Sequence, residues 1–169
     1  RHHVEAGDFP AAEGVARQWL ADRPDDQAFR FQLGALLEQQ GRLEEAEVEF
    51  RRVIATEPEH DLALNYLGYM LAARTARLEE SEELIKRALV EDPYYGSYLD
   101  SLGWVQFRKG EFSLAEPNLL RAQKCMPENS VVLDHLGDLY RARGNPEAAV
   151  RFWRMALQYD SDDELEEKT

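Results

Sequence analysis

Leu-Gly occurs four times in this chain, at Leu33-Gly34, Leu67-Gly68, Leu102-Gly103 and Leu136-Gly137, and the glycines stand 34, 35 and 34 residues apart. Prolines keep the same spacing at Pro24, Pro58, Pro93 and Pro127. Small residues keep it again at Ala12, Ala46, Ser81, Ala115 and Ala149. Three marks on one period define a repeated supersecondary unit. A unit of this length cannot bury its own apolar face, so it must stack on copies of itself. The one extra residue falls between Gly68 and Ser81, within AARTAR at 72–77, which reads as a longer turn.

Within each unit the periodicity is helical. Apolar residues recur three and four apart, as in Leu64, Leu67 and Leu71 or Leu133, Leu136 and Tyr140. Gly41, Gly110 and Gly144 then mark helix ends, where glycine accepts a left-handed conformation. A second helix carries a small residue and a large one four later: Ala46/Phe50, Ser81/Ile85, Ala115/Leu119 and Ala149/Trp153. The proline closes the unit because it cannot continue a helix. The chain therefore reads as all-α, a solenoid of antiparallel helix pairs.

These marks resemble the tetratricopeptide repeat (TPR). The resemblance runs through Leu64-x-x-Leu67-Gly68-x-x-Leu71 and through Ala46, Phe50 and Pro58, and it covers residues 7 to 161. It implies a right-handed superhelix that binds proteins and has no enzymatic activity. Four full repeats are expected at 27–60, 61–95, 96–129 and 130–161, forming a single array over 1–169. A partial repeat at 7–26 precedes them, and a capping helix is expected to begin within 162–169. Arg30 and Gln106 depart from the pattern, each at a position where a large apolar residue is usual. Pro117 falls inside a second helix and is expected to distort its first turns. The runs ALNYLGYML, YLDSLGW and VLDHLGDLY are similar to the C-terminal repeats of large bacterial proteins of this family, some of them cell-envelope adaptors.

In such a superhelix the first helices line the inner face. A step of about 100° per residue turns the face opposite the Leu-Gly stripe inward. That face holds Phe31, Asn65, Tyr69, Asp100, Trp104, Phe107, Arg108, Asp134, Asp138 and Arg141, with Glu38 beside them. Aromatic anchors with placed charges suit a peptide or helical segment in a concave groove. The other reading of Trp104 and Phe107 is that they pack on the adjacent first helix and narrow the groove. The family's chaperone-binding subclass grips a terminal carboxylate with a basic clamp. The aligned positions here hold Phe31 and Ala35, or Asn65 and Tyr69, so that ligand is not expected.

Charge narrows the partners. Lys plus Arg is 20 against 33 for Asp plus Glu, a net charge of −13. A nucleic acid or an anionic membrane surface would repel this chain. The expected partner is another protein, through a basic segment with apolar anchors. Self-association within a longer bacterial protein is the alternative. No apolar run approaches the roughly 20 residues of a membrane span, so direct membrane insertion is not expected. Because the chain starts at Arg1, it reads as a fragment and leaves a cytoplasmic or periplasmic location open.

No nucleophile elbow, phosphate loop or metal motif is present, so neither catalysis nor a cofactor is expected. Asp134 and His135 are adjacent, about 100° apart on a helix, and cannot form a dyad; His135 reads as half-buried. The acidic run Asp160, Asp162, Asp163 and Glu164 lacks the glycine and distant glutamate of a calcium loop.

Overall fold

A computed structural model describes residues 9–74 and 77–166 of the chain, with side chains as far as Tyr159. Among the described residues there are nine helices: α1 (Phe9–Asp22), α2 (Gln27–Gln39), α3 (Leu43–Thr56), α4 (Asp61–Arg74), α5 (Leu78–Glu91), α6 (Gly96–Arg108), α7 (Phe112–Cys125), α8 (Ser130–Ala142) and α9 (Pro146–Glu166). They form sequential antiparallel pairs, α2/α3, α4/α5, α6/α7 and α8/α9, preceded by the single helix α1.

Local chemistry sets the helix boundaries. The Asp26 carboxylate accepts from the Phe29 N–H, and Asn129 does the same for Val132, capping α2 and α8. The His60 ring nitrogen Nδ1 accepts from the Ala63 N–H and starts α4. The Trp19 indole donates to the second Asp26 oxygen at 2.9 Å, so the cap of α2 is held by the helix before it. Gly41, Gly110 and Gly144 leave their helices at φ of 74°, 77° and 75°. The turn after α4 has no glycine. α4 runs one residue longer than the other first helices, and the rest of that turn, Thr75 and Ala76, lies outside the described residues.

The period has a steric cause. Each Leu-Gly glycine meets the large residue of its unit's second helix: Gly34 meets Phe50, Gly68 meets Ile85, Gly103 meets Leu119 and Gly137 meets Trp153. A Cβ on Gly103 would lie 2.6 Å from Leu119 Cγ, far inside van der Waals contact. The glycine is a hole and the residue four after the small one is the knob. Phe50, Ile85 and Leu119 are fully buried there, whereas Trp153, the large residue of the last pair, is half-buried.

Two sequence departures are compensated in pairs. Arg30 stands on a buried face, and Glu49 of α3 faces it at 2.9 Å. Gln106 accepts from the Asn118 amide of α7 at 2.9 Å. Each of these two polar residues meets a polar residue in the second helix of its own unit. Pro117 lies inside α7, which runs unbroken from Phe112 to Cys125. The Ser113 carbonyl that loses its donor is on the exposed side, where water can replace the bond.

A ladder of ion pairs crosses the unit boundaries. Glu13 meets Arg42 at 2.6 Å, Glu47 meets Arg77 at 2.6 Å and Glu82 meets Lys109 at 2.6 Å. Glu116 pairs with Arg143 in the same way. At the corresponding place in α9 stands Val150, which is exposed. α9 continues as one helix through Glu166, where the sequence reading starts a separate capping helix at 162. Ser161 occupies the place that proline holds in the other units, so nothing interrupts the helix there.

Candidate functional site

The first helices α2, α4, α6 and α8 touch one another in order and build a continuous inner surface. A cavity of about 460 Å³ opens on it, bounded by Glu38 of α2, Asn65 and Tyr69 of α4, Asp100 of α6 and Val131 of α8. A second hollow of about 720 Å³ follows, bounded by Tyr69, Asp134 and Asp138, with Trp153 of α9 at its side. Tyr69 is common to both. Asn65, Tyr69 and Asp100 thus line the first hollow, and Tyr69, Asp134 and Asp138 line the second.

The other expected residues lie elsewhere. Phe31 joins an aromatic cluster with Phe50, His60 and Tyr66, its centroid 5.2–5.8 Å from theirs. Trp104 is half-buried, with its indole stacked 4.2 Å from the His135 ring of α8 and 5.2 Å from Phe107. Phe107 in turn lies 5.6 Å from Phe112. For this pair the packing reading describes the geometry: the rings fill the seam between adjacent units. Arg108 donates to the Ala72 carbonyl near the end of α4, a cation at the negative end of a helix dipole. Arg141 is exposed on the last turn of α8.

Two expectations change with these contacts. Asp100 is not an open groove carboxylate; it is 7% exposed, and one oxygen lies 2.9 Å from His135 Nδ1. His135 is buried rather than half-buried. Its partner is not the adjacent Asp134 but a carboxylate one unit earlier, so the pair ties α8 to α6 within the stack. The signal for it was present: residues 35 apart in a 34-residue repeat sit nearly in register on neighbouring inner helices.

The groove is electronegative at its centre. Burial pushes the Tyr69 phenol above its ordinary pKa, and the Asp100 and Glu38 carboxylates push it further, against a weaker opposing effect of Arg74. Among the described residues, Asn65 Oδ1 at the groove and Trp104 Nε1 in the seam are buried without a hydrogen-bond partner. Among the described residues, no group of three or more His, Cys, Asp or Glu side chains could hold a metal ion. No described helix is long and apolar enough to cross a membrane.

Comparison with known proteins agrees with this architecture. Tetratricopeptide repeat models match residues 3–67, 46–96 and 131–159. The chain belongs to the tetratricopeptide repeat family. It is 35% identical over 122 residues to the TPR repeat-containing protein PA4667 of Pseudomonas aeruginosa. That match takes in 72% of this chain and spans 20% of the relative's length. Among solved structures, PilW, a widely conserved type IV pilus biogenesis factor, is similar at a TM-score of 0.82 and 20% identity, over 91% of this chain and 71% of that one. The thermophilic TPR protein TTC0263 of Thermus thermophilus is similar at a TM-score of 0.77 and 22% identity, over 93% of this chain and 86% of that one. MamA of Desulfovibrio magneticus RS-1 follows at 0.76 and 17%, over 92% of this chain and 88% of that one. At these identities the likeness is one of fold.

Proposed function

We propose that this chain is a non-enzymatic scaffold whose inner groove holds a segment of another protein, one that is net basic with apolar anchors. The carrying observation is the groove wall itself. Glu38 and Asp100 share one hollow with Tyr69, and Asp134 and Asp138 share the other; burial raises the Tyr69 phenol pKa first, and Asp100 and Glu38 raise it further. Tyr66, Tyr69 and Val131 supply apolar surface on the same floor. A segment with Lys or Arg beside an apolar side chain complements both features. The basic clamp for a terminal carboxylate is missing at the aligned positions, so an acidic tail is the wrong ligand.

Selection from a random peptide display library against the intact chain tests this. The selected peptides should be basic, should perturb the resonances of Tyr69 and Asp138, and should bind more weakly as salt rises past the screening range of about 8–10 Å. Acidic peptides, or binding indifferent to salt, would overturn the reading. A second reading, self-association in a longer protein, has one observation in its favour. Leu157 of α9 is 67% exposed, although its counterparts Ile54 and Leu89 are packed against the core. Sedimentation over a range of concentrations separates the two readings, since only self-association gives growth without a ligand.

A further inference from the structure

We infer that the exposed face of α9 is an interface with a second copy of this chain, the two α9 helices lying side by side and antiparallel. The inference deepens the self-association reading above by giving it a surface and an orientation. α3, α5 and α7 each pack on the first helix of the following unit, whereas among the described elements α9 packs on α8 alone. The face left over is apolar. Val150 is 42% exposed and Leu157 67%, and Trp153 is half-buried. These three stand three and four residues apart, on one stripe of the helix. At the place of Val150 the earlier second helices carry Glu47, Glu82 and Glu116, each paired with a base from the turn of the following unit. A further unit of the same kind would bring a base to Val150 and meet no carboxylate, so this face suits an apolar partner instead.

The charge along α9 names that partner. The helix is 21 residues long, against 13 or 14 in the others. From Val150 to Tyr159 it carries Arg151 and Arg154, both exposed, and no acid. From Asp160 to Glu166 the sequence has Asp160, Asp162, Asp163, Glu164 and Glu166, and no base. Arg154 and Asp160 stand three residues either side of Leu157, and Arg151 and Asp163 stand six. Two such helices crossing antiparallel at Leu157 therefore set the basic half of each level with the acidic half of the other, twice over by two-fold symmetry. A parallel pair would set acid beside acid over the last turns, which is unfavourable. The helix complements itself in one direction only.

Sedimentation equilibrium of the whole chain should show a monomer–dimer equilibrium. Leu157→Asp should weaken it at least about tenfold, the size expected where a buried apolar contact of about 1.4 kcal/mol or more is lost. The double variant Arg151→Glu/Arg154→Glu should weaken it as much. Mixed with Asp160→Lys/Asp163→Lys, that variant should associate more tightly than either does alone, a rescue that a folding defect cannot produce. Spin labels at Glu147, in a Cys125→Ser background, fix the direction. In an antiparallel pair the two labels lie about 30 Å apart along the axis, because ten residues on each side of Leu157 rise about 1.5 Å each; a parallel pair brings them level. A dimer that survives both Leu157→Asp and the arginine variant, a mixture without rescue, or level labels would each overturn this interface while leaving self-association to another surface. A parent chain that stays monomeric at every concentration overturns the interface and the self-association reading together, and the groove reading stands.

Discussion

Gly68→Ala puts the steric origin of the repeat to a direct test. The added methyl would lie 2.6 Å from Ile85 Cγ1 and 3.0 Å from the Ser81 carbonyl oxygen. Carbon atoms prefer about 3.5–4.0 Å, so the methyl is about 1 Å too close to a side chain with no exposed surface. The backbone oxygen on the other side cannot rotate away. The two helices are also pinned at this point, because Ser81 Oγ donates to the Gly68 carbonyl at 2.6 Å. Overpacking a well-filled core costs about 1–3 kcal/mol, and a site closed on two sides belongs in the upper half of that range. Alanine regains up to about 1 kcal/mol of helix propensity. The net loss is about 1–2 kcal/mol, or a melting point lower by about 2–8 °C for a chain of this size. Gly14→Ala is the matched control. Gly14 lies in α1, and a methyl there meets no atom within 4 Å, so the same substitution should stabilise by about 0.5–1 kcal/mol. Thermal melts give the sign, and hydrogen exchange should place the Gly68→Ala damage in α4 and α5 and their immediate neighbours. If Gly68→Ala melts at or above the parent, or both variants move the same way, the knob-and-hole account is wrong.

Asn65→Leu should not lower the melting point, because it replaces a buried unpartnered oxygen with apolar volume of similar size; a clear loss of stability would mean that the amide has a structural partner. Tyr69→Ala should weaken a selected peptide by about 2 kcal/mol while changing the melt little, as judged by titration beside a melt; equal affinity would remove Tyr69 from the binding surface. Glu47 is held below the ordinary glutamate value of 4.5, first by its hydrogen bond from Arg77. A lowered folded pKa contributes stability above the unfolded value that is lost as pH falls through the lowered one. The parent should therefore melt above Glu47→Gln at pH 7, and the gap should close as the pH drops below about 4.5; a gap independent of pH would show that the ion pair adds nothing. Trp104→Ala should destabilise the chain by about 3–5 kcal/mol if its stacking on His135 and Phe107 makes it part of the seam; a melt near that of the parent would return it to the groove.

How much of this was legible in the sequence follows from which contacts are local. The helices begin at Gln27, Asp61, Gly96 and Ser130, where the proline and Leu-Gly marks put them, because caps and terminators act within a few residues. The inner-face assignment of Asn65, Tyr69, Asp134 and Asp138 followed from helical rotation alone. For Trp104 it left two readings, groove and seam, since the rotation gives a direction but not the distance to the next helix. His135 illustrates the same gap: it reads as half-buried from its own helix, and the Asp100 it meets lies 35 residues away. The Arg30–Glu49 and Gln106–Asn118 pairs were half visible. Each first-helix departure stood out against the pattern, and its answering polar residue occupies the facing position of the second helix in the same unit.

The ion-pair ladder bears on how such a chain can change length. Each glycine hole and its knob belong to one unit, so a unit cut out whole leaves with that internal packing complete. The rungs are what must match across a boundary. Glu47 meets Arg77, which precedes the second helix of the next unit, whereas Glu82 meets Lys109, two places earlier in the corresponding turn. Deleting residues 61–95 would set Glu47 opposite Lys109, again an acid facing a base, and duplicating them would set Glu82 opposite a second Arg77. Loss or gain of a unit thus preserves charge complementarity at the new junction. After α9 the rule stops, because Val150 has no carboxylate to offer, and a unit copied from the middle of the chain would find no rung there.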